Sequence, residues 1–186
     1  MTAANKLVQA QAVIDFWFTE LTPKQWFSKS EDLDNSISER FGNTLSAAAN
    51  GECWQWRITP LGRLAEIIVL DQFSRNIYRD TAAAFRQDPM ALVLAQEAVA
   101  AAADTALAND QKAFLYMPYM HSESALIHQQ AVNLFDQPGL EYNYKFELKH
   151  KAIIDEFGRY PHRNAILGRS STPEELAFLK QPGSSF

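Results

Sequence analysis

One cysteine, Cys53, stands in a chain of 186 residues. No internal disulfide can form, and no site needing several thiolates can be built. Glycine is scarce too, with 7 residues, which leaves few positions for the tight hairpins of a sheet protein. Apolar runs such as Ile67 to Leu70 fall far short of the roughly 20 residues that span a bilayer, so no membrane partner is expected. Basic charge is in deficit: 17 Lys and Arg face 22 Asp and Glu, for a net charge of −5. That balance argues against nucleic acid as a partner, because phosphate backbones demand basic surface. No basic segment followed by an apolar stretch and a small-residue cleavage site opens the chain, so a cytoplasmic location is expected. With 47% hydrophobic residues the chain is too apolar for disorder, and its length suits one domain over 1–186.

What is present reads as helix. Alanine occurs 26 times, more than the 24 valines, isoleucines and threonines together. A sheet protein would invert that balance, because β-branched residues favour strands and alanine favours helices. Leu7, Ala10, Ile14, Trp17 and Leu21 step by three and four along one helical stripe, and Leu33, Ile37, Phe41 and Leu45 draw another. Thr22-Pro23, Thr59-Pro60, Asp88-Pro89 and Thr172-Pro173 each set a capping oxygen before a proline at the first helical position. Thr22 with Gln25, and Thr172 with Glu175, have capping-box spacing, and Gly158 is a natural stop. The predicted helices cover 5–20, 32–49, 60–73, 89–103, 109–117, 120–136, 141–157 and 173–180, with a short turn at 23–28. The fold class is all-α, with short links that favour antiparallel helix pairs and no sheet.

Polar residues collect in three places. In the segment 71–79, Asp71 follows an apolar helix end and lies on the side of Ile67 and Ile68, where a carboxylate needs a partner. Arg75, four residues on, is the local one, and Gln72, Asn76 and Arg79 share the segment. In 118–123, Pro118 is expected to break one helix and His121-Ser122-Glu123 to open the next, near a helix N-terminus suited to an anion. The segment 158–171 has neither helical nor strand period. It carries Arg159, Arg163 and Arg169 with no acidic residue between Glu156 and Glu174. Guanidinium forks suit carboxylate or phosphate, either on a ligand or on the protein's own excess carboxylates.

His150 lies on an apolar face between Phe146 and Ile153 and reads as a core residue. His121, Glu123, His150 and His162 offer zinc-type donors, but no two of these histidines have helical metal spacing, so no metal and no cofactor is expected. There is no Gly-x-Ser-x-Gly elbow, and Cys53 has no basic neighbour to activate it. Phe16-Trp17-Phe18, Trp26-Phe27 and Trp54-Gln55-Trp56 read as core anchors.

Over nearly its whole length the chain resembles the bacterial family known as domain of unknown function 924. The resemblance rests on Asp15-Phe16-Trp17-Phe18, Trp26-Phe27, the run Leu70 to Arg79, Pro118 with His121-Ser122-Glu123, and the long block Phe157 to Thr172. It implies an all-helical fold similar to a tetratricopeptide-like right-handed array of helix pairs. It supplies neither an activity nor catalytic residues.

The favoured expectation is a binding module for a small anionic molecule or an acidic peptide, at a cleft built from 71–79, 118–123 and 158–171. Arg75, Arg159, Arg163 and Arg169 would contact the anion, and Asn164 and Gln72 would orient it. The alternative is a hydrolase-type enzyme with His121 or His162 as base and Glu123 or Asp71 as its partner. A structural adapter is the third.

Overall fold

The computed structural model describes residues 8–184 and is 72% helical, with no strand among the described residues. Leu7 and the predicted helical residues 5–7 lie outside that range. Helix α1 spans Ala10–Asp15, α2 Pro23–Trp26, α3 Glu31–Ala49, α4 Pro60–Ile68 and α5 Ser74–Ile77. Then come α6 Asp88–Ala100, α7 Asn109–Met120, α8 Ala125–Phe135, α9 Glu141–Phe157 and α10 Pro173–Phe178.

Local chemistry explains most boundaries. Ser30 accepts the Leu33 N–H at 3.3 Å to open α3, whose first turn carries Glu31, Asp32 and Asp34 against the helix dipole. Thr59 caps α4 by accepting the Gly62 N–H at 3.1 Å. Gly62 itself is obligatory, since a Cβ there would sit 1.9 Å from the Trp56 carbonyl oxygen. Gln25 accepts the Thr22 N–H at 2.8 Å, and Thr172 and Glu175 exchange reciprocal caps at 2.8 and 3.2 Å. Gly158 ends α9 at φ 67°, where a side chain would be strained.

Helix α4 is the centre of the core: Leu64, Ala65, Ile67 and Ile68 are wholly buried. Around it an aromatic cluster links Phe16 to Phe41 (ring centroids 5.0 Å), Phe41 to Phe73 (4.9 Å) and Trp17 to Phe73 and Phe114 (5.6 and 5.5 Å). The core reading of the aromatic pairs holds for Phe16 and Trp17 and fails for Phe27 and Trp54, which are 63% and 60% exposed.

Two departures from the predicted helices shape the site. The helix predicted over 60–73 is α only to Ile68; Val69–Phe73 is a π turn that leads into α5. Phe16–Glu20 is a second π turn, in which the Leu21 N–H reaches back to the Phe16 carbonyl. The Trp17 carbonyl then receives the Trp26 indole N–H at 2.7 Å. Such single wide turns often mark functional sites.

Two further expectations are corrected. Pro118 does not break its helix: α7 runs through it to Met120, and the cost of the missing N–H is accepted within a buried segment. His121 therefore follows the C-terminal end of α7, not a helix N-terminus, and α8 starts only after Ser124. Asp88 is not a cap either, since α6 is preceded by Gln87 and the Asp88 carboxylate turns to two arginines.

Candidate functional site

The π turn buries Asp71 to 1% exposure and surrounds its carboxylate with donors. Gln72 Nε2 donates to Oδ2 at 2.6 Å, Arg75 Nη1 lies 3.0 Å from Oδ1, and His121 Nδ1 lies 2.7 Å from the same oxygen. Burial alone would raise the Asp71 pKa, but Arg75 first, then His121 and Gln72, hold it well below the usual carboxylate range. Because Asp71 is ionised, the His121 Nδ1 carries the proton and donates it. Burial and then the Arg75 charge push the His121 pKa down, so the ring is neutral. Among the described residues its Nε2 bonds to no protein group, and the ring is partly exposed, which leaves that lone pair open to the solvent side.

Arg75 does more than pair with Asp71. Its Nη1 also takes the Asp71 carbonyl at 2.9 Å, and its fork meets Asp88 at 2.8 and 3.0 Å. Asp88 is shared with Arg163, whose Nη1 approaches at 3.4 Å. Segments far apart in sequence therefore join in one chain of contacts: His121, Asp71, Arg75, Asp88, Arg163.

Arg163 differs from the other arginines. Its side chain is only 8% exposed, yet among the described residues its sole carboxylate contact is the long one to Asp88, and its Nε, like that of Arg169, is buried without a partner there. The guanidinium lies over the Phe85 ring at 4.6 Å and the Tyr160 ring at 4.5 Å. His162 sits beside it, with a pKa lowered to about 4 by burial and then by the Arg163 charge.

The remaining predicted residues are committed elsewhere. Asn76 and Arg79 both bind Asp34, with Asn76 Nδ2 at 2.8 Å and the Arg79 fork at 2.5 and 2.7 Å, tying α5 to α3. Arg159 grips Glu175 at 2.6 and 2.8 Å, and Asn164 Nδ2 reaches the same carboxylate at 3.1 Å. Arg169 forks onto Glu123 at 2.6 and 2.9 Å, and Glu123 also accepts the Tyr160 N–H at 2.7 Å. Gln72 is buried and turned toward Asp71 and the Met117 sulfur at 3.4 Å. The aperiodic block 158–171 is thus stapled by carboxylates at both ends, with one short 3₁₀ turn, Pro161–Arg163, between them. Among the described residues no group of His, Cys, Asp and Glu is arranged to hold a metal ion.

Sequence reasoning missed Asp88, Phe85 and Tyr160. Asp88 looked like a cap because proline follows it. Nothing in the spacing reveals that its carboxylate serves Arg75, 13 positions back, and Arg163, 75 positions on.

The model of a family described as "Bacterial protein of unknown function (DUF924)" matches residues 13–183. The chain belongs to the DUF924 family. A solved structure, that of the protein of unknown function ATU0120 from Agrobacterium tumefaciens, is similar to this DUF924 chain at 36% identity and a TM-score of 0.89. The match covers 93% of this chain and 97% of that one. No curated protein matches. No helix among the described residues is long and apolar enough to cross a membrane.

Proposed function

We propose that this DUF924 chain binds a small molecule or peptide end bearing a carboxylate or phosphate, at the corner where Arg163, Arg75 and His121 meet. The observation that carries this reading is Arg163. Every other arginine of the predicted cleft is matched to a carboxylate by two short bonds, so binding a ligand there would first break an ion pair. Arg163 is desolvated, placed over two rings and left with an unused donor. A buried cation in that state gains most from an incoming anion. The test is thermal melting of wild type and Arg163→Met in the presence of phosphate, sulfate, acetate and succinate. A rise in Tm in wild type that is absent from Arg163→Met is expected. No rise in either protein would overturn the reading and leave Arg163 as a packing residue.

A second reading is favoured by one observation, the Asp71–His121 pair. A buried carboxylate on Nδ1 with Nε2 open is how a histidine is set up as a general base. Of the alternatives weighed from sequence, this supports His121 with Asp71, since Glu123 is occupied by Arg169 and the Tyr160 N–H. Saturable hydrolysis of p-nitrophenyl hemisuccinate that disappears in His121→Gln would support catalysis. Turnover equal in the two proteins would remove it.

A further inference from the structure

Behind the candidate site lies a second carboxylate–histidine pair, His128 and Glu147, both wholly buried. His128 Nδ1 lies 2.6 Å from Glu147 Oε1, and His128 Nε2 lies 2.8 Å from the Ser122 carbonyl oxygen. A carbonyl only accepts, so Nε2 carries a proton and donates it to Ser122. One more proton must then occupy the short gap between Nδ1 and Oε1. Among the described residues Glu147 Oε2 is buried with no hydrogen-bond partner, a poor place for full negative charge. The shared proton therefore belongs to the Glu147 carboxyl, and both groups are neutral.

The surroundings provide a second arrangement. The Tyr160 hydroxyl donates to the Met120 carbonyl at 2.5 Å and lies 3.2 Å from His128 Nε2. Met120 and Ser122 flank His121, so the bonds that the Tyr160 hydroxyl and His128 Nε2 make outside the cluster end on the backbone next to the open histidine.

We propose that the His128–Glu147–Tyr160 cluster is a proton-operated switch for the turn 120–123: loss of one proton reverses the His128 tautomer and releases the carbonyls on either side of His121. The balance is simple. The Nε2 proton leaves to solvent, and the proton shared with Glu147 settles on Nδ1, facing a carboxylate. The bare Nε2 now repels the Ser122 oxygen and accepts from Tyr160 O–H, which turns away from Met120. No other bond forms or breaks. Lys151 and His150 on α9 and Tyr160 on the late loop act on the pair directly; His121 and Arg163 act on His150, and Arg163, Glu123 and Arg75 act on Tyr160. Burial raises the Glu147 pKa, which moves the loss of its proton toward neutrality. The functional meaning of the switch rests on reading this corner as the binding site; the switch itself does not.

The test is nitrogen-15 NMR of the histidine rings in the full chain, followed from mildly acid to mildly alkaline buffer. The expected result is a His128 proton on Nε2 in acid and on Nδ1 in alkali, with faster amide exchange over 120–123 beyond the normal pH effect. Glu147→Gln, whose amide donates to Nδ1 at every pH, should lock the Nε2–H form. Tyr160→Phe, lacking the alternative donor, should shift the transition to higher pH. An Nε2 proton retained throughout in wild type would overturn the proposal, as would both ring nitrogens protonated in mild acid. Wild type decides even if Glu147→Gln fails to fold. Because the ring measurement needs no ligand, it can fail while anion binding succeeds, and the reverse.

Discussion

Asp71 and Glu147 are both buried, at 1% and 0% exposure, and each meets a histidine Nδ1, at 2.7 and 2.6 Å. Their proton affinities nevertheless move in opposite directions. Asp71 has a guanidinium and an amide donor besides its histidine, and so remains charged. Glu147 has one buried oxygen with nothing to bond and so favours its neutral form. The histidines differ accordingly: the His121 ring is aimed outward by a fixed charge, while the His128 ring is held at both nitrogens. Burial sets the size of the desolvation penalty, and the number of donors on the carboxylate decides which way the proton goes.

The comparison breaks most visibly by neutralising each acid in turn. Asp71→Ala should cost about 3–5 kcal/mol in urea unfolding, because it takes one of two carboxylates from the half-buried Arg75 and leaves the Gln72 amide and the His121 Nδ1–H without their acceptor. Glu147→Gln should cost no more than about 1 kcal/mol, because it replaces one neutral donor with another. Equal losses would show that Glu147 is ionised.

The buried groups should also change stability with pH in opposite senses. Burial first, aided by neighbouring cations, lowers the pKa values of His150 to about 3 and His162 to about 4, and it lowers that of His121. The unfolded chain binds those protons near its ordinary value of about 6.5, so stability is lost as pH drops below that value. A further loss follows as Asp71 and Glu175 protonate, the latter held down to about 2 chiefly by its Arg159 bonds. Glu147 acts with the opposite sign: its stabilisation is complete below its unfolded pKa and fades as pH rises through the raised folded one. Denaturant midpoints across pH should show Asp71→Asn flattening the loss on acidification and Glu147→Gln flattening the loss that Glu147 causes as pH rises.

Arg163→Met sharpens the contrast at smaller scale. It loses ring contacts and one long ion pair, for about 1–2 kcal/mol, less than Arg75→Met, which strands two carboxylates. The smallest effect is expected at Cys53, which is 1% exposed and whose pKa is raised to about 11 by burial, then by Glu66. Iodoacetamide should leave it unmodified until the protein unfolds.

Much of the fold was legible in the chain. Alanine content, apolar stripes and threonine–proline caps locate α3, α9, α10 and the start of α4 within a few residues, because helix formation depends on neighbours three and four positions apart. The need of Asp71 for an arginine was legible for the same reason, since Arg75 lies one turn away. The continuation of α7 through Pro118 was not, because it depends on packing that outweighs a missing N–H.

The sequence by itself determined an all-helical chain, the buried carboxylate at Asp71 and an arginine-rich block without acids of its own. Tertiary structure alone decided what those arginines do. Glu123 and Glu175 reach Arg169 and Arg159 across 46 and 16 positions, and the long Asp88 contact leaves Arg163 underused. It also decided which histidine faces outward and which holds the turn from behind. A guanidinium or an imidazole has the same chemistry at any position in the chain. Its role is set by which carboxylate or carbonyl the packed helices bring within 3 Å, and no local spacing encodes that distance.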